Sequence, residues 1–320
     1  MVAKSQVQQD TRSRSNAEKT FDNGFIALTK IFAWGIAAIL ILMALTVASQ
    51  AIPSLNEFGF SFLFKSVWNP VKEDYGAWPM IVGTLVSSVL SLFIAVPLGL
   101  GTAIFLSENF IPPKISTPLT FMVELLAAIP SVVYGLWGIY VLLPFLEPIE
   151  AFLGKYLGWI PLFSIPDGVR AGGPGMFPAV IILSIMILPI ITAISRDSLA
   201  SLPPELRQAS LGLGASRWGT IIRVLIPAAF SGIVGGVMLG LGRAMGETMA
   251  VTMLIGNANS IKVTLFAPSN TIASLMANQF AEASGLQLSA LMYTGVVLFA
   301  LTLIVNILAN WVVNKIKAKY

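Results

Sequence analysis

The chain has 320 residues, of which 56% are hydrophobic and only 11% are charged, with a small net charge of +4. Soluble domains carry roughly 25% charged residues, so this composition excludes a soluble protein and predicts an integral membrane protein. The sequence contains neither cysteine nor histidine, so it lacks disulfides, the commonest transition-metal ligand and the usual general base, which argues against most membrane hydrolases. We expect no metal site and no catalytic residue on this chain.

The polar N-terminal segment, residues 1–24, is almost free of aliphatic side chains, which is typical of a disordered tail. The apolar run that follows, 25–52, is far longer than the roughly 7–15-residue core of a signal peptide. We therefore predict that this run is the first membrane-spanning helix and that it stays in the mature protein.

Five further apolar stretches are near or above the roughly 20 residues needed to cross the hydrocarbon. The sequence therefore predicts an all-α integral membrane protein, with one transmembrane domain of six helices over residues 25–320. The fifth stretch is overlong, so we expect it to tilt, break or extend into solvent. The predicted spans cover residues 25–52, 78–106, 118–146, 177–195, 222–256 and 290–313.

The placement of Lys and Arg predicts the orientation of these spans. With a cytoplasmic N-terminus, thirteen of the nineteen basic residues fall in cytoplasmic segments, five in outside loops and one within the membrane. This bias predicts that both termini are cytoplasmic.

Two features within the spans indicate a possible pathway. Pro97, Pro130 and Pro189 interrupt spans near their middles, and such breaks are tolerated beside cavities. Glu124 lies in the cytoplasmic third of the third span. It either lines a pathway or sits near the interface and extends towards water, and the sequence leaves both open.

The fifth span carries two ionisable residues, Arg243 and Glu247, in its interior. Such a residue near the bilayer centre costs about 2.5–3.5 kcal/mol on insertion scales. Their four-residue spacing places them on one helix face, within reach of an ion pair. One interpretation is a buried pair that only stabilises the bundle, and the other is that Arg243 meets an anionic solute.

Glycines line the same helix. Glycines at four-residue spacing allow close helix packing, so we predict that the face of the charged pair looks into protein rather than lipid. A second stripe of glycines beside the first predicts neighbours on two sides. The first stripe is Gly232, Gly236 and Gly240, and the second is Gly235, Gly242 and Gly246.

The segment between the fourth and fifth spans, 197–221, predicts a short amphipathic helix. Ser201 is a candidate cap, Pro203 or Pro204 suits the first turn, and Gly212 or Gly214 ends the helix. An apolar stripe recurs at helical spacing. Such a helix either lies on the membrane or docks a soluble partner. The stripe consists of Leu202, Leu206, Ala209 and Leu213.

This segment resembles the EAA loop of ABC importer permeases. Gln208-Ala209-Ser210, Gly214 and Val224-x-Ile226-Pro227 reproduce its spacing, with Gln208 in place of Glu and Ser210 in place of Ala. The resemblance implies a coupling helix that sits in a groove of a separate ATPase subunit. It assigns the ATPase contact to Glu205, Gln208, Ala209, Gly214 and Pro227, without an ionic role for Gln208.

Two further blocks, 242–251 (GRAMGETMAV) and 129–136 (IPSVVYGL), look like signatures of phosphate-importer permeases. The Met-Ala-Val ending and the 68–76 stretch resemble the PstC-type subunit more than the PstA-type. The resemblance implies a type I ABC importer permease fold in the bacterial inner membrane, among membrane lipids. It also implies three partners: a PstA-like second permease, a PstB-like ATPase dimer and a periplasmic PstS-like phosphate-binding protein.

The sequence contains no Gly-rich phosphate loop ending in Lys-Ser or Lys-Thr, so we expect no cofactor on this chain, with ATP and Mg on the partner ATPase. No nucleic-acid partner is expected. Arg243 offers a planar, always-ionised fork that suits phosphate oxygens, and Glu247 would hold it when the pathway is empty. The alternatives are a permease for sulfate or molybdate, and an ion-coupled secondary transporter.

Overall fold

The computed structural model describes residues 16–108 and 110–317. The chain divides into two compact units, one ending at Ser49 and one beginning at Gln50. Helix α1, Asn16–Phe58, supplies the described part of the first unit and the first residues of the second.

The start of α1 differs from the predicted disordered tail. Residues 16–24 are helical, whereas residues 1–15 lie outside the described residues. The segment 16–23 contains neither proline nor glycine, so the helix can begin in polar sequence ahead of its apolar core.

Across the described residues the regular secondary structure is helical apart from one antiparallel two-stranded hairpin. Six helical segments there are long and apolar enough to cross a membrane, which confirms the predicted fold class. The hairpin consists of β1 Trp68–Asn69 and β2 Asp74–Tyr75. The helices after α1 are α2 Trp78–Ser107, α3 Pro113–Ala127, α4 Ser131–Trp137, α5 Leu143–Leu157, α6 Met176–Ala200, α7 Pro204–Gly212, α8 Arg217–Thr220, α9 Ile226–Gly246, α10 Met249–Leu254, α11 Ile272–Gln279 and α12 Gly285–Lys317.

Helix α6 forms the centre of the second unit and packs against both α2 and α9. Its contact with α2 is close because Gly99 lies against Ile191, where a Cβ would come within 3.1 Å of Cγ2. Two hydroxyls also cross this interface. Thr192 donates to the Gly99 carbonyl at 3.3 Å, and Ser184 donates to the Ser91 carbonyl at 3.2 Å. Small residues and interhelical hydrogen bonds are the usual means of packing helices in lipid.

The predicted third span, 118–146, is divided by a helix break. Helix α3 ends at Ala127, and α4 begins after Pro130, whose backbone is extended at ψ 141°. Proline has no N–H to donate and disfavours the α conformation at the preceding residue. The third crossing helix is therefore Ser131–Leu157, formed by α4, a π-helical turn and α5.

The other two prolines have a different outcome. Helix α2 continues through Pro97, and α6 continues through Pro189. Only one of the three predicted interruptions is therefore a break in the helix.

The predicted fifth span, 222–256, both begins and ends earlier. The crossing helix is Arg217–Gly246, formed by α8, a π-helical turn and α9. It ends because Glu247 is extended at φ −68° and ψ 126°. Thr248 donates its hydroxyl to the Gly246 carbonyl at 3.1 Å, and α10 begins at the next residue. The break is one of the three outcomes expected for this overlong stretch.

Candidate functional site

One glycine face of α9 packs against α6. A Cβ on Gly236 would lie 3.1 Å from Cβ of Ile194, and one on Gly240 would lie 3.1 Å from Cγ1 of Ile191. A Cβ on Gly232 would overlap the Ser198 hydroxyl. All three glycines of the first stripe therefore lie at the closest approach of the two helices.

The second glycine stripe lies against no described part of this chain. Apart from its chain neighbours and the backbone of its own helix, no atom of the described residues comes within 4 Å of a Cβ built on Gly235, Gly242 or Gly246. This side of α9 forms an open cleft of about 650 Å³, which we call the α9 cleft. The α9 cleft is lined by Ile190, Gly235, Met238, Leu239, Gly242, Arg243 and Asn306.

Arg243 lines the α9 cleft without an ion pair to Glu247. Within the described residues, its buried Nε has no hydrogen-bond partner. Glu247 instead accepts the backbone N–H of Thr248 at 3.2 Å. The predicted pairing required one continuous helix from Arg243 to Glu247, and the helix ends at Gly246. The expectation that Glu247 holds Arg243 is therefore corrected by the helix break.

The two blocks that resemble phosphate-importer permeases pack against each other through α4 and α10. Gly135 lies against Ala250, where a Cβ would come within 3.4 Å of Cα. Tyr134 and Ala250 belong to one buried apolar cluster, and the Tyr134 hydroxyl donates to the Leu126 carbonyl at 2.9 Å. The segments 129–136 and 242–251, which are more than 100 residues apart in the sequence, thus meet beside the break between α9 and α10.

Glu124 has a partner on α6 rather than on α9. Its carboxylate lies 3.5 Å from Arg196, which also contacts Asp197 at 2.6 Å. The Glu124 side chain is about half exposed, at 49%. The structure therefore places it in a polar cluster between α3 and α6.

Helix α7 coincides with the amphipathic helix predicted in the loop. It begins at Pro204 and ends at Gly212, and Gly214 then adopts a left-handed φ of +84°. Ser201 does not cap it, because this residue lies at the end of α6 and donates its hydroxyl to the Ser198 carbonyl.

The residues assigned to ATPase contact are all on the surface. Three of the four predicted stripe residues are also uncovered in this chain, which leaves α7 with an apolar face that no described residue covers. The exposed contact residues are Glu205, Gln208, Ala209, Gly214 and Pro227, and the exposed stripe residues are Leu206, Ala209 and Leu213.

Sequence reasoning missed a charged junction behind α7. Arg207 forms a two-pronged ion pair with Glu108, with Nη2 2.8 Å from Oε1 and Nε 3.1 Å from Oε2. The same guanidinium donates to the carbonyl of Leu199 in the last turn of α6 and to that of Leu202 just after α6. The hydrogen bonds to Glu108 raise the pKa of Arg207 by more than burial lowers it. The guanidinium therefore stays protonated.

A second arginine completes this arrangement. Arg217 of α8 donates to the backbone carbonyl of Glu108 at 2.9 Å and lies over the Phe110 ring at 4.8 Å. We call Glu108, Arg207 and Arg217 the junction. Glu108 and Arg207 are 99 residues apart, and no local pattern links them.

No group of three or more carboxylates in the described part of the chain is arranged to hold a metal ion. The polar side chains that line the α9 cleft are the guanidinium of Arg243 and the amide of Asn306. Such a set can bind an anion, because a guanidinium donates charge-assisted hydrogen bonds and an amide N–H also donates.

Comparison with known proteins identifies the class. A family described as binding-protein-dependent transport system inner membrane component matches residues 95–318. The crystal structure of a bacterial alginate ABC transporter in complex with alginate pentasaccharide-bound periplasmic protein shares the fold, with a TM-score of 0.62 at 17% identity over 93% of this chain and 97% of that one. The chain belongs to the family of binding-protein-dependent transport system inner membrane components, which are permeases of ABC importers.

Two curated relatives narrow the family further. The phosphate transport system permease protein PstC of Pasteurella multocida is 44% identical over 92% of each chain. The PstC of Haemophilus influenzae is 42% identical over 96% of this chain and 98% of its own. Within its family the chain therefore belongs with the PstC permeases. A further match, to the bacterial aa3 type cytochrome c oxidase subunit IV, covers only residues 15–47 and bears on no site residue.

Proposed function

We propose that this chain is the transmembrane permease subunit of an ATP-driven phosphate importer and forms half of the phosphate pathway. The names and coverage of its PstC relatives support the substrate. The observation that carries the mechanism is Arg243, whose guanidinium lines the open α9 cleft with a buried, unpartnered Nε. Phosphate is an anion, and the Arg243 guanidinium is a fixed donor for it. No group in the described chain accepts a hydrogen bond from its Nε.

The proposed chemistry is transient binding. Removing phosphate from water is costly in a low-dielectric pathway, and a guanidinium fork offsets part of that cost through charge-assisted hydrogen bonds. We place Glu247 at the pathway too, beside the helix break one turn beyond Arg243. Its negative charge limits how tightly the anion is held, because a solute that binds too well does not leave. We also propose Glu124 as a pathway residue, nearer the end of the bundle where α7 lies.

We assign each proposed partner to its own part of the chain. A second, PstA-like permease would cover the α9 cleft and its open glycine stripe, and the two cleft faces together would enclose the pathway. A PstB-like ATPase dimer, which carries ATP and Mg, would bind the exposed face of α7. A PstS-like phosphate-binding protein would dock at the opposite end. We propose that the chain lies in the bacterial inner membrane with both termini cytoplasmic, as the distribution of Lys and Arg predicts.

The proposed coupling route begins at the residues that would contact the ATPase, on α7 and between α7 and the start of α9. These residues are Glu205, Gln208, Ala209, Gly214 and Pro227. Arg243 lies 16 residues after Pro227 on the same helix, a distance of about 24 Å at a rise of 1.5 Å per residue. Movement of α7 therefore has a direct path along α9 to the anion-binding residue.

The test is uptake by the assembled importer in liposomes. Labelled phosphate should enter only with ATP, the ATPase and the binding protein, and unlabelled phosphate should compete while sulfate and molybdate do not. Competition by sulfate or molybdate instead would make this a permease for another oxyanion. Uptake without the ATPase, abolished when an ion gradient is dissipated, would identify an ion-coupled secondary transporter.

A further inference from the structure

The junction behind α7 joins three helices through one carboxyl residue. Glu108 follows the last residue of α2 and is only 8% exposed. Its carboxylate receives both prongs of Arg207 from α7, and its backbone carbonyl receives Arg217 from α8. Glu108 thus connects the end of α2 to α7 and to α8.

The same guanidinium also ties α7 to α6. Arg207 donates to the carbonyl of Leu199 in the last turn of α6 at 2.7 Å, and to that of Leu202, two residues beyond α6, at 3.2 Å. A planar guanidinium that holds a carboxylate bidentately has a fixed orientation, unlike a single hydrogen bond. Helix α7 therefore cannot shift relative to α2 and α6 while these four bonds remain.

The outer face of α7 is separate from these bonds. Gln208 and Ala209 are exposed, whereas the Arg207 side chain is only 22% exposed and points into the junction. A partner on the outer face can therefore push α7 without touching the ion pair. On the inner side, Ser210 and Thr220 share a hydrogen bond of 2.9 Å, which links α7 to α8.

We propose that Glu108 and Arg207 are positioning residues that transmit movement of α7 to α2 and α6, in addition to the route along α9. This rests on the proposed role of α7 as the ATPase contact. Because α2 and α9 both pack against α6, the junction makes the three helices respond together. Without the ion pair, ATP hydrolysis continues but moves α7 without moving α2 and α6 to the same extent.

The experiment measures phosphate moved per ATP hydrolysed by the complete importer in liposomes. Glu108→Gln and Arg207→Gln should leave the ATPase bound and hydrolysis within about twofold of the original, while phosphate moved per ATP falls about tenfold, within the range of typical coupling between sites. Arg207→Lys should be intermediate, because it keeps the charge and loses the fork. The double variant should be no worse than either single one, because the two residues act as one unit.

A matched control is Glu147→Gln, which removes the charge from an exposed ion pair with Arg170 at 3.3 Å, away from α7. It should leave the ratio unchanged. The proposal is overturned if Glu108→Gln and Arg207→Lys keep the original ratio, or if ATPase binding and transport fall together. The Arg207→Lys and Glu108→Gln variants decide the question if Arg207→Gln does not assemble.

One more variant separates this proposal from the function on which it rests. Ala209→Asp on the exposed face of α7 should remove the ATPase altogether. If that variant keeps the ATPase and normal transport, the role of α7 as the ATPase contact fails. If it loses the ATPase while the junction variants behave like the original protein, only the positioning role of Glu108 and Arg207 fails.

Discussion

Glu247 is the first residue beyond the helix that carries Arg243 in its last turn, and the two side chains form no ion pair. The helix break turns the carboxylate to the N–H of Thr248 and leaves the guanidinium facing the α9 cleft. An arginine in this state is available to a passing anion without first having to leave a carboxylate. The break is therefore as important to the site as the charges are.

Replacement of Arg243 should stop transport and spare assembly. We expect Arg243→Ala to lower ATP-dependent phosphate uptake by about a hundredfold or more, because charge-assisted hydrogen bonds contribute about 1.5–3 kcal/mol each. Arg243→Lys should lose less, because the charge remains. The control is Arg170→Ala, an arginine that is 85% exposed. Normal uptake by Arg243→Ala would refute the role of Arg243.

Replacement of Glu247 should change phosphate handling and not stability. Because no arginine of the described residues pairs with the Glu247 carboxylate, Glu247→Gln should alter the free energy of unfolding by less than about 0.5 kcal/mol, as for an ordinary surface substitution. Phosphate should be held several times more tightly, because the repelling charge is gone. Thermal unfolding and phosphate-release rates of the complex provide the measurements. A loss of about 3–5 kcal/mol would instead indicate a buried ion pair.

The contact between α9 and α6 should be sensitive to added volume. Gly232→Ala places a Cβ against Ser198, so we expect a loss of about 1–3 kcal/mol in the free energy of unfolding, as for an overpacked core. Gly101→Ala is the matched control on α2, where no other part of the described chain lies within 4 Å of the new Cβ. That variant should be neutral or slightly stabilised, since alanine suits a helix better than glycine. Equal effects of the two variants would contradict the packing assigned to Gly232.

The turn after α7 should tolerate only a residue that adopts a positive φ. Gly214→Val should cost about 1–2 kcal/mol, the strain of a left-handed conformation in a residue with a Cβ, and should weaken ATPase binding. Gly212→Ala is the control, because Gly212 is exposed at the end of α7 with free space around it. Co-purification of the ATPase with each variant gives the measurement. Full ATPase retention by Gly214→Val would show that the turn is not needed for docking.

Hydropathy was sufficient to predict six spans, because lipid demands long apolar helices with satisfied backbones, but it did not predict the bounds of the third and the fifth. Helix α7 could also be predicted from the sequence, since the proline at its start and the glycine at its end are local signals. The sequence alone could not predict which of three prolines interrupts its helix. Pro97 and Pro189 lie within continuous helices and Pro130 lies at a break, because the surrounding packing, and not the residue alone, decides the outcome.

The candidate site shows the same division. Arg243 could be identified from sequence because an arginine in an apolar span is costly anywhere. The absence of its pairing with Glu247 could not, since spacing rules assume that the helix continues through both residues. The ion pair of Glu108 with Arg207 joins positions 99 residues apart, and only the tertiary fold brings such residues together.

The open glycine stripe has a consequence for the life of the chain before it finds its partners. A lone copy in the bilayer would present Arg243 and a bare glycine groove to acyl chains, with a cost for the charge of about 2.5–3.5 kcal/mol on insertion scales. Acyl chains fill such a groove less well than a shaped helix does. Surplus copies should therefore be short-lived, and we expect the cell to keep this chain only in the amount that the covering subunit allows.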